Sequence, residues 1–137
     1  TNIKKYAIKY SDRYIINTHN GYKNIPRINV EKDYLVIKEW LDNFKEQIKN
    51  RYDKGETAYN LRNCAYVDEY EKDKIVWKQT SLKQTFSYDK NCNFLEVSSQ
   101  MMIGSNLKYI LTFLNSKTIN FYFKKIAYAF GKDGTRW

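Results

Sequence analysis

The chain is poor in residues that bend, staple or ligate. Its 137 residues include one proline, five glycines, two cysteines and one histidine. So little glycine and proline excludes a collagen-like repeat or a Pro/Gly-rich disordered chain. Cys64 and Cys92 stand far apart, and neither belongs to a C-x-x-C pair. That excludes a disulfide framework and fits a reducing, cytoplasmic compartment. One His and two Cys fall short of the four ligands a structural zinc site needs, so no metal is expected. No run approaches the roughly 18 apolar residues of a membrane-spanning helix. The first ten residues are polar and basic, with no apolar run behind them, so no signal peptide is read there. No helix pattern is both basic and strongly amphipathic, so a membrane partner is not expected either. The first residue is Thr1 rather than Met, and the chain is read as a domain taken from a larger protein.

What is there supports folding. Apolar residues make up 42%, with 13 Tyr and 7 Phe supplying much of that share. The length suits one domain, residues 1–137, which can bury about 70% of its unfolded surface. Most of the tyrosines are read as core support. Charge is basic overall, at +9, and uneven. Residues 1–27 carry six bases and one acid, residues 28–74 nine and eleven, and residues 75–137 nine and three. Two basic ends thus flank a nearly neutral middle. If both ends fold onto one face, that face is a footprint for a polyanion. A Lys-rich composition giving a merely soluble surface is the plainer reading.

The pattern predicts a mixed α+β fold, a small mixed or antiparallel sheet with about three helices. Residues 3–8 and 13–18 alternate apolar and polar and read as a hairpin turning at Ser11-Asp12. Tyr34, Ile37, Leu41, Phe44 and Ile48 recur at helical spacing and predict one helix packed on the core. Asn29 or Asp33 would cap its start, and Gly55 suits its stop. Residues 74–79, 84–88, 94–97 and 100–103 read as strands, with a turn at Asp89-Lys90-Asn91. Ser105 or Asn106 should cap a helix bearing Leu107, Ile110, Leu111 and Leu114, and Ser116 should cap a second.

A search for catalytic patterns finds none. His19 beside Asn20-Gly21 reads as a polar loop residue rather than a general base. There is no G-x-S-x-G, no Walker A and no G-x-G-x-x-G. None of the fifteen acids has a Lys two residues later, the pairing many nucleases use to hold a metal and activate water. The sole proline stands in Ile25-Pro26-Arg27, so the (N/D)-P-P-(F/Y/W) element of adenine methyltransferases, which grips a flipped base, is missing. Asp68, Glu69, Glu71 and Asp73 read as a solvated turn. The chain is therefore read as a binder, not an enzyme.

Three clusters suit DNA. Behind the apolar Ile75-Val76-Trp77 come Lys78, Gln79, Thr80, Ser81, Lys83 and Gln84. Gln pairs bidentately with adenine, Lys donates to guanine, and Ser or Thr reaches either base or phosphate. Asn60 and Arg62 form a second cluster. Lys132 and Arg136, in a glycine-bearing tail, form a third. Lys4, Lys5, Lys124 and Lys132 are read as phosphate contacts, which add affinity but no specificity. Each cluster taken singly also reads as an ordinary polar loop. Two other partner classes remain open. Exposed tyrosines would stack bases in a single-stranded nucleic acid or RNA binder. In a protein-interaction scaffold they would anchor an interface.

Several segments together resemble a known family. They are Ile3-Lys4-Lys5-Tyr6, Tyr59-Asn60-Leu61-Arg62, and Tyr70-Glu71-Lys72-Asp73-Lys74-Ile75-Val76-Trp77. Asn106 to Lys117 with its Leu114-Asn115-Ser116 corner, then Ile119-Asn120-Phe121-Tyr122, is the most specific of them. Gly131-x-x-Gly134-Thr135-Arg136 closes the set. The chain resembles the TaqI-like C-terminal specificity domain, the target recognition domain of type IIG restriction-modification enzymes and related adenine-N6 DNA methyltransferases. Asp73 departs from the family, which often has Pro there. The resemblance implies a target-recognition-type α+β fold that reads double-stranded DNA in the major groove. It implies that methylation with S-adenosylmethionine, and cleavage with Mg2+, belong to other domains of a bacterial parent enzyme. The partners would be duplex DNA and the parent's methyltransferase domain. No cofactor is implied for this domain itself.

Overall fold

A computed structural model describes residues 3–9, 12–127, 129–130 and 134–136, the last two stretches by their strand pairing alone. In chain order the elements are β1 (Ile3–Lys4), β2 (Ala7–Ile8), α1 (Val30–Asp33), α2 (Leu35–Asp42), α3 (Lys45–Lys49) and a 3-10 turn (Val67–Glu71). Then come β3 (Lys74–Lys78), β4 (Thr80–Ser81), β5 (Ser87–Asp89), β6 (Ser99–Ile103), α4 (Leu107–Leu114), α5 (Lys117–Ile126), β7 (Ala129–Phe130) and β8 (Gly134–Arg136). This is the expected α+β class with small antiparallel sheets. Among the described residues it has five α-helices rather than three.

The chain divides into two compact units. Unit 1 is Thr1–Arg13 with Asp68–Trp137, and unit 2 is Tyr14–Val67. Every paired strand named above lies in unit 1. Its central sheet has the order β5-β3-β6, with Ile75 opposite Tyr88 on one side and Met102 on the other. Ile75, Phe86, Leu107 and Leu111 form the buried core, and Trp77, Tyr88, Met102, Ile110 and Leu114 pack around it. Burying a side chain of this size stabilises by roughly 1.5–3 kcal/mol. Successive strand residues face opposite ways, and Val76 is as inaccessible as Ile75, so β3 is covered on both faces. The β1-β2 hairpin lies against β3 and β5, where Tyr6 donates its amide to the Phe86 carbonyl at 3.0 Å.

Both expected helices of unit 1 form, but only the second has its expected side-chain cap. Asn106 precedes α4 in a left-handed conformation (φ 56) without a side-chain cap bond, and Ser116 caps α5 by accepting from the Ile119 amide at 3.1 Å. The corner between them explains its own sequence. Leu114 packs on the core. Asn115 is 2% exposed and donates its amide to the Phe86 carbonyl at 2.9 Å. Ser116 then starts the next helix.

Lys74 and Asp89, both fully buried, pair at 2.9 Å across the β3–β5 ladder. Lys74 also donates to the Tyr70 carbonyl at 2.6 Å. The Asp89 carboxylate accepts the Asn91 amide at 2.9 Å, the Asn93 amide at 3.2 Å and the Asn93 side chain at 2.8 Å. The predicted turn at 89–91 is thus organised by a fully hydrogen-bonded carboxylate, the condition under which a buried ion pair is tolerated. Asp73 accepts a short hydrogen bond from the Tyr88 hydroxyl, which holds that phenol's pKa above its usual value.

Three local expectations are corrected. The first hairpin closes within residues 3–8, pairing Ile3 with Ile8 and Lys4 with Ala7, and Tyr6 takes a positive φ of 60 in the turn. Residues 13–18 form no strand. Ser11, the expected turn residue, lies outside the described residues. Phe94–Val97 forms no strand either, and the Ser99 amide bonds back to the Glu96 carbonyl at 2.9 Å as a turn. The helical stripe from Tyr34 to Ile48 is broken into α2 and α3, after the separate short α1, and is at best half-buried.

Unit 2 is held by loop hydrogen bonds. Asn60, 1% exposed, donates to the Ile28 carbonyl at 2.9 Å and the Thr18 carbonyl at 3.3 Å, and accepts from the Thr57 hydroxyl at 2.6 Å. The Asn60 carbonyl accepts from the Arg51 guanidinium at 2.6 Å. A Cβ at Gly55 would stand 2.5 Å from the Leu61 carbonyl oxygen, so only glycine fits this approach.

Candidate nucleic-acid interface

β3 leaves the core at Lys78, where the Lys78 amide donates to the Thr85 hydroxyl at 3.0 Å. One residue on, the Gln79 amide donates to the Ser98 carbonyl at 2.8 Å. The chain then changes partner. Thr80 pairs with Arg136, and Ser81 with Thr135, in a sheet of order β4-β8-β7. Two sequence-distant clusters, Lys78–Ser81 and the tail, therefore meet at one sheet edge. Lys132 lies outside the described residues, and Arg136 is placed by its backbone register. Lys78, Gln79, Thr80 and Ser81 are half-buried, and Lys83 is exposed.

Gln84 is removed from the base-reading set. Only 8% of it is exposed, and its amide donates to the Leu114 carbonyl at 2.6 Å and the Ser116 carbonyl at 3.2 Å. It ties off the Leu114 carbonyl, which the end of α4 leaves without an intrahelical partner, and adds to the Ser116 carbonyl a second donor beside the Asn120 amide. Asn60 is removed for the same kind of reason, since its side chain is buried and spent on unit 2. Arg62 stays available. It lies in unit 2 on an exposed ion pair with Asp53 at 3.1 Å, a contact worth little in water and readily exchanged for a phosphate.

Between the two ends of this loop stands Leu82, which is 68% exposed. It is absent from the sequence-based set, although it is the one apolar side chain between Trp77 and Phe86. That contrast was the available signal.

These residues match a family across nearly their whole length. Residues 1–135 match the sequence model of the TaqI-like C-terminal specificity domain. The chain belongs to that family. Specificity domains of this type carry sequence-specific DNA recognition in restriction-modification enzymes, as parts distinct from their catalytic domains. Against individually curated proteins the chain has no significant match. The motif residues that carry the likeness are largely structural here. Lys74 is the buried cation, Asn60 the loop hub of unit 2, and Asn115-Ser116 the helix corner.

The electrostatics of the TaqI-like domain are lopsided. Unit 1 has fifteen Lys and Arg against eight Asp and Glu, net +7, and unit 2 has nine against seven, net +2. Lys23 and Arg27 belong to unit 2, while unit 1 takes the whole basic C-terminal end and four of the six bases of the N-terminal end. Lys4, Lys5 and Lys124 are exposed there. Residues 97–127 contain four lysines and no acid. Lys117 and Lys124 stand two turns apart and so share one side of α5. No cluster of His, Cys, Asp and Glu able to hold a metal occurs among the described residues. No described helix is long and apolar enough to cross a membrane.

In unit 2, Asp42 accepts from Lys38 at 2.6 Å and from the Tyr59 hydroxyl at 2.6 Å. The Lys38 bond, then the Tyr59 bond, hold the Asp42 carboxyl below its usual pKa. The same contacts raise Lys38 and Tyr59. The group joins α2 to the Tyr59–Arg62 segment, and we read it as a structural tie.

Proposed function

We propose that this chain reads a short duplex DNA sequence from the major groove, using the edge formed by the end of β3, β4 and β8. Lys78, Gln79, Thr80, Ser81, Lys83 and Arg136 are its base-reading residues. Lys4, Lys5, Lys124 and Lys132 hold phosphates, with Arg62 as a further anion contact. Adenine methylation with S-adenosylmethionine, and cleavage with Mg2+, fall to other domains of a cytoplasmic bacterial restriction-modification protein. The observation that supports this most is the pairing of Thr80-Ser81 with Thr135-Arg136, which joins two polar, basic segments more than 50 residues apart in the strongly basic unit. The major groove, about 12 Å wide, admits a two-stranded ribbon, and β4 with β8 is one strand pair of the three-stranded sheet β4-β8-β7.

A second reading has its own observation. Tyr109, Phe113, Phe121 and Tyr122 are exposed on α4 and α5 near Lys108 and Lys125, and exposed aromatics among lysines can stack unpaired bases. Binding of a 30-base-pair duplex, its separated strands and the matching RNA, at about 50 and 200 mM salt, separates the two. Our reading predicts that duplex binds most tightly at both salts. Tighter binding of single strands would favour the stacking surface.

A further inference from the structure

A lone exposed leucine is ordinary on a protein surface. Leu82 is not placed in an ordinary way. From Lys74 to Asp89 only Leu82 and Lys83 are exposed. The residues before them, Thr80 and Ser81, are paired with β8. The residues after them, Gln84 and Thr85, are buried and hydrogen-bonded, to the α4–α5 corner and to the Lys78 amide. Both flanks are therefore fixed by the folded unit, and the two side chains at the tip are held outward. Residues 74–88 include three lysines and no acid, so nothing there repels a polyanion.

An apolar side chain beside a cation suits one feature of a base edge in the major groove. Thymine alone among the four unmodified bases presents a methyl group there, and apolar side chains recognise it by contact. Lysine supplies a donor to a neighbouring guanine or phosphate. Resting on the DNA-reading function proposed above, we infer that Leu82 is a specificity-determining residue that reads the 5-methyl group of a thymine, with Lys83 beside it on the adjacent base or phosphate. The contact removes a hydrocarbon group from water on both sides and forms only if the tip enters the groove.

The test uses a preferred duplex obtained by selection from a random pool. Each thymine in the selected motif is replaced in turn by deoxyuridine, which deletes the methyl group and keeps the base pair. Binding of the wild-type chain should weaken about fourfold at one thymine position, the size expected for losing one buried methyl-sized group. Leu82→Ala should bind thymine and uracil equally at that position and keep its preferences elsewhere. Leu82→Met should retain the discrimination. Thermal unfolding of both variants should match wild type, since Leu82 is held by exposed tip geometry rather than by the core. A motif with no uracil-sensitive thymine overturns the inference while leaving the DNA-reading function intact. So does a Leu82→Ala variant that still discriminates. The absence of any enriched motif overturns the reading function and this inference together.

Discussion

Asn115 shows how much one side chain holds in this fold. It lies at the α4–α5 corner, and its amide shares the buried Phe86 carbonyl with the Tyr6 amide. Asn115→Ala would leave that carbonyl with the Tyr6 amide alone and should destabilise by about 0.5–1.5 kcal/mol, the net worth of one hydrogen bond, measured by urea denaturation. Lys74 is more costly to remove. Lys74→Ala leaves Asp89 charged and buried without its cation, and the expected loss is about 3–5 kcal/mol. Ser116→Ala removes only a cap and should cost about 1 kcal/mol. The Lys38–Asp42–Tyr59 group gives a pH signature. Asp42 is depressed on folding, so its contribution is present above the unfolded carboxyl value near 4 and is lost as pH falls through the lower folded value. Tyr59 and Lys38 are raised, so theirs is complete below about 10 and is lost as pH rises through their folded values. Thermal unfolding of Asp42→Asn should therefore fall short of wild type by a constant margin between about pH 5 and 9, and the margin should close on both sides. A margin that grows on acidification would contradict this pairing.

Among the elements, those built from strong local signals were legible. β3 was visible because Ile75-Val76-Trp77 is an apolar run bounded by lysines. α4 and α5 were visible because Leu107, Ile110, Leu111 and Leu114 share one side and Ser116 caps the second helix. The single long helix expected from Tyr34 to Ile48 fails for a local reason. Asn43 donates its side chain to the Glu39 carbonyl at 3.3 Å and the Trp40 carbonyl at 3.0 Å. It thereby takes acceptors that the next helical turn would use, and α2 stops. Periodicity of apolar residues is blind to that competition. The strand expected at 13–18 failed because alternation does not supply a partner strand. At the site, residue type identified the polar run after Trp77, and burial could not be read from type. Gln84 and Asn60 carry the groups that suit adenine, yet both are consumed inside the fold. The joining of Thr80 to Arg136 was equally invisible, because ladder register between distant segments leaves no mark in either one. Gly55 is an element-scale test. Gly55→Ala pushes a Cβ to 2.5 Å from the Leu61 carbonyl oxygen, and the approach of those two loop segments must open. Hydrogen exchange should speed up within unit 2, at the Asn60 and Leu61 amides first.

For the whole molecule, the basic excess is the property that bears on function. The sequence predicts two basic ends around a neutral middle, and the unit that contains the sheets takes the whole C-terminal end and four of the six bases of the N-terminal end. If about five phosphates are neutralised, the logarithm of affinity for non-specific duplex should fall against the logarithm of salt with a slope of about −4 to −5. Lys4→Ala with Lys5→Ala should reduce that slope by nearly two and weaken all sequences alike, because phosphate contacts position without reading. Lys78→Ala should do the opposite, changing which sequences are preferred more than the slope. The most direct test of the account is selection of the purified chain against a random duplex pool, at about 50 and about 200 mM salt. The account predicts an enriched motif of a few base pairs that persists at the higher salt. Binding without any motif, vanishing as salt rises, would contradict it and reduce the chain to a basic surface.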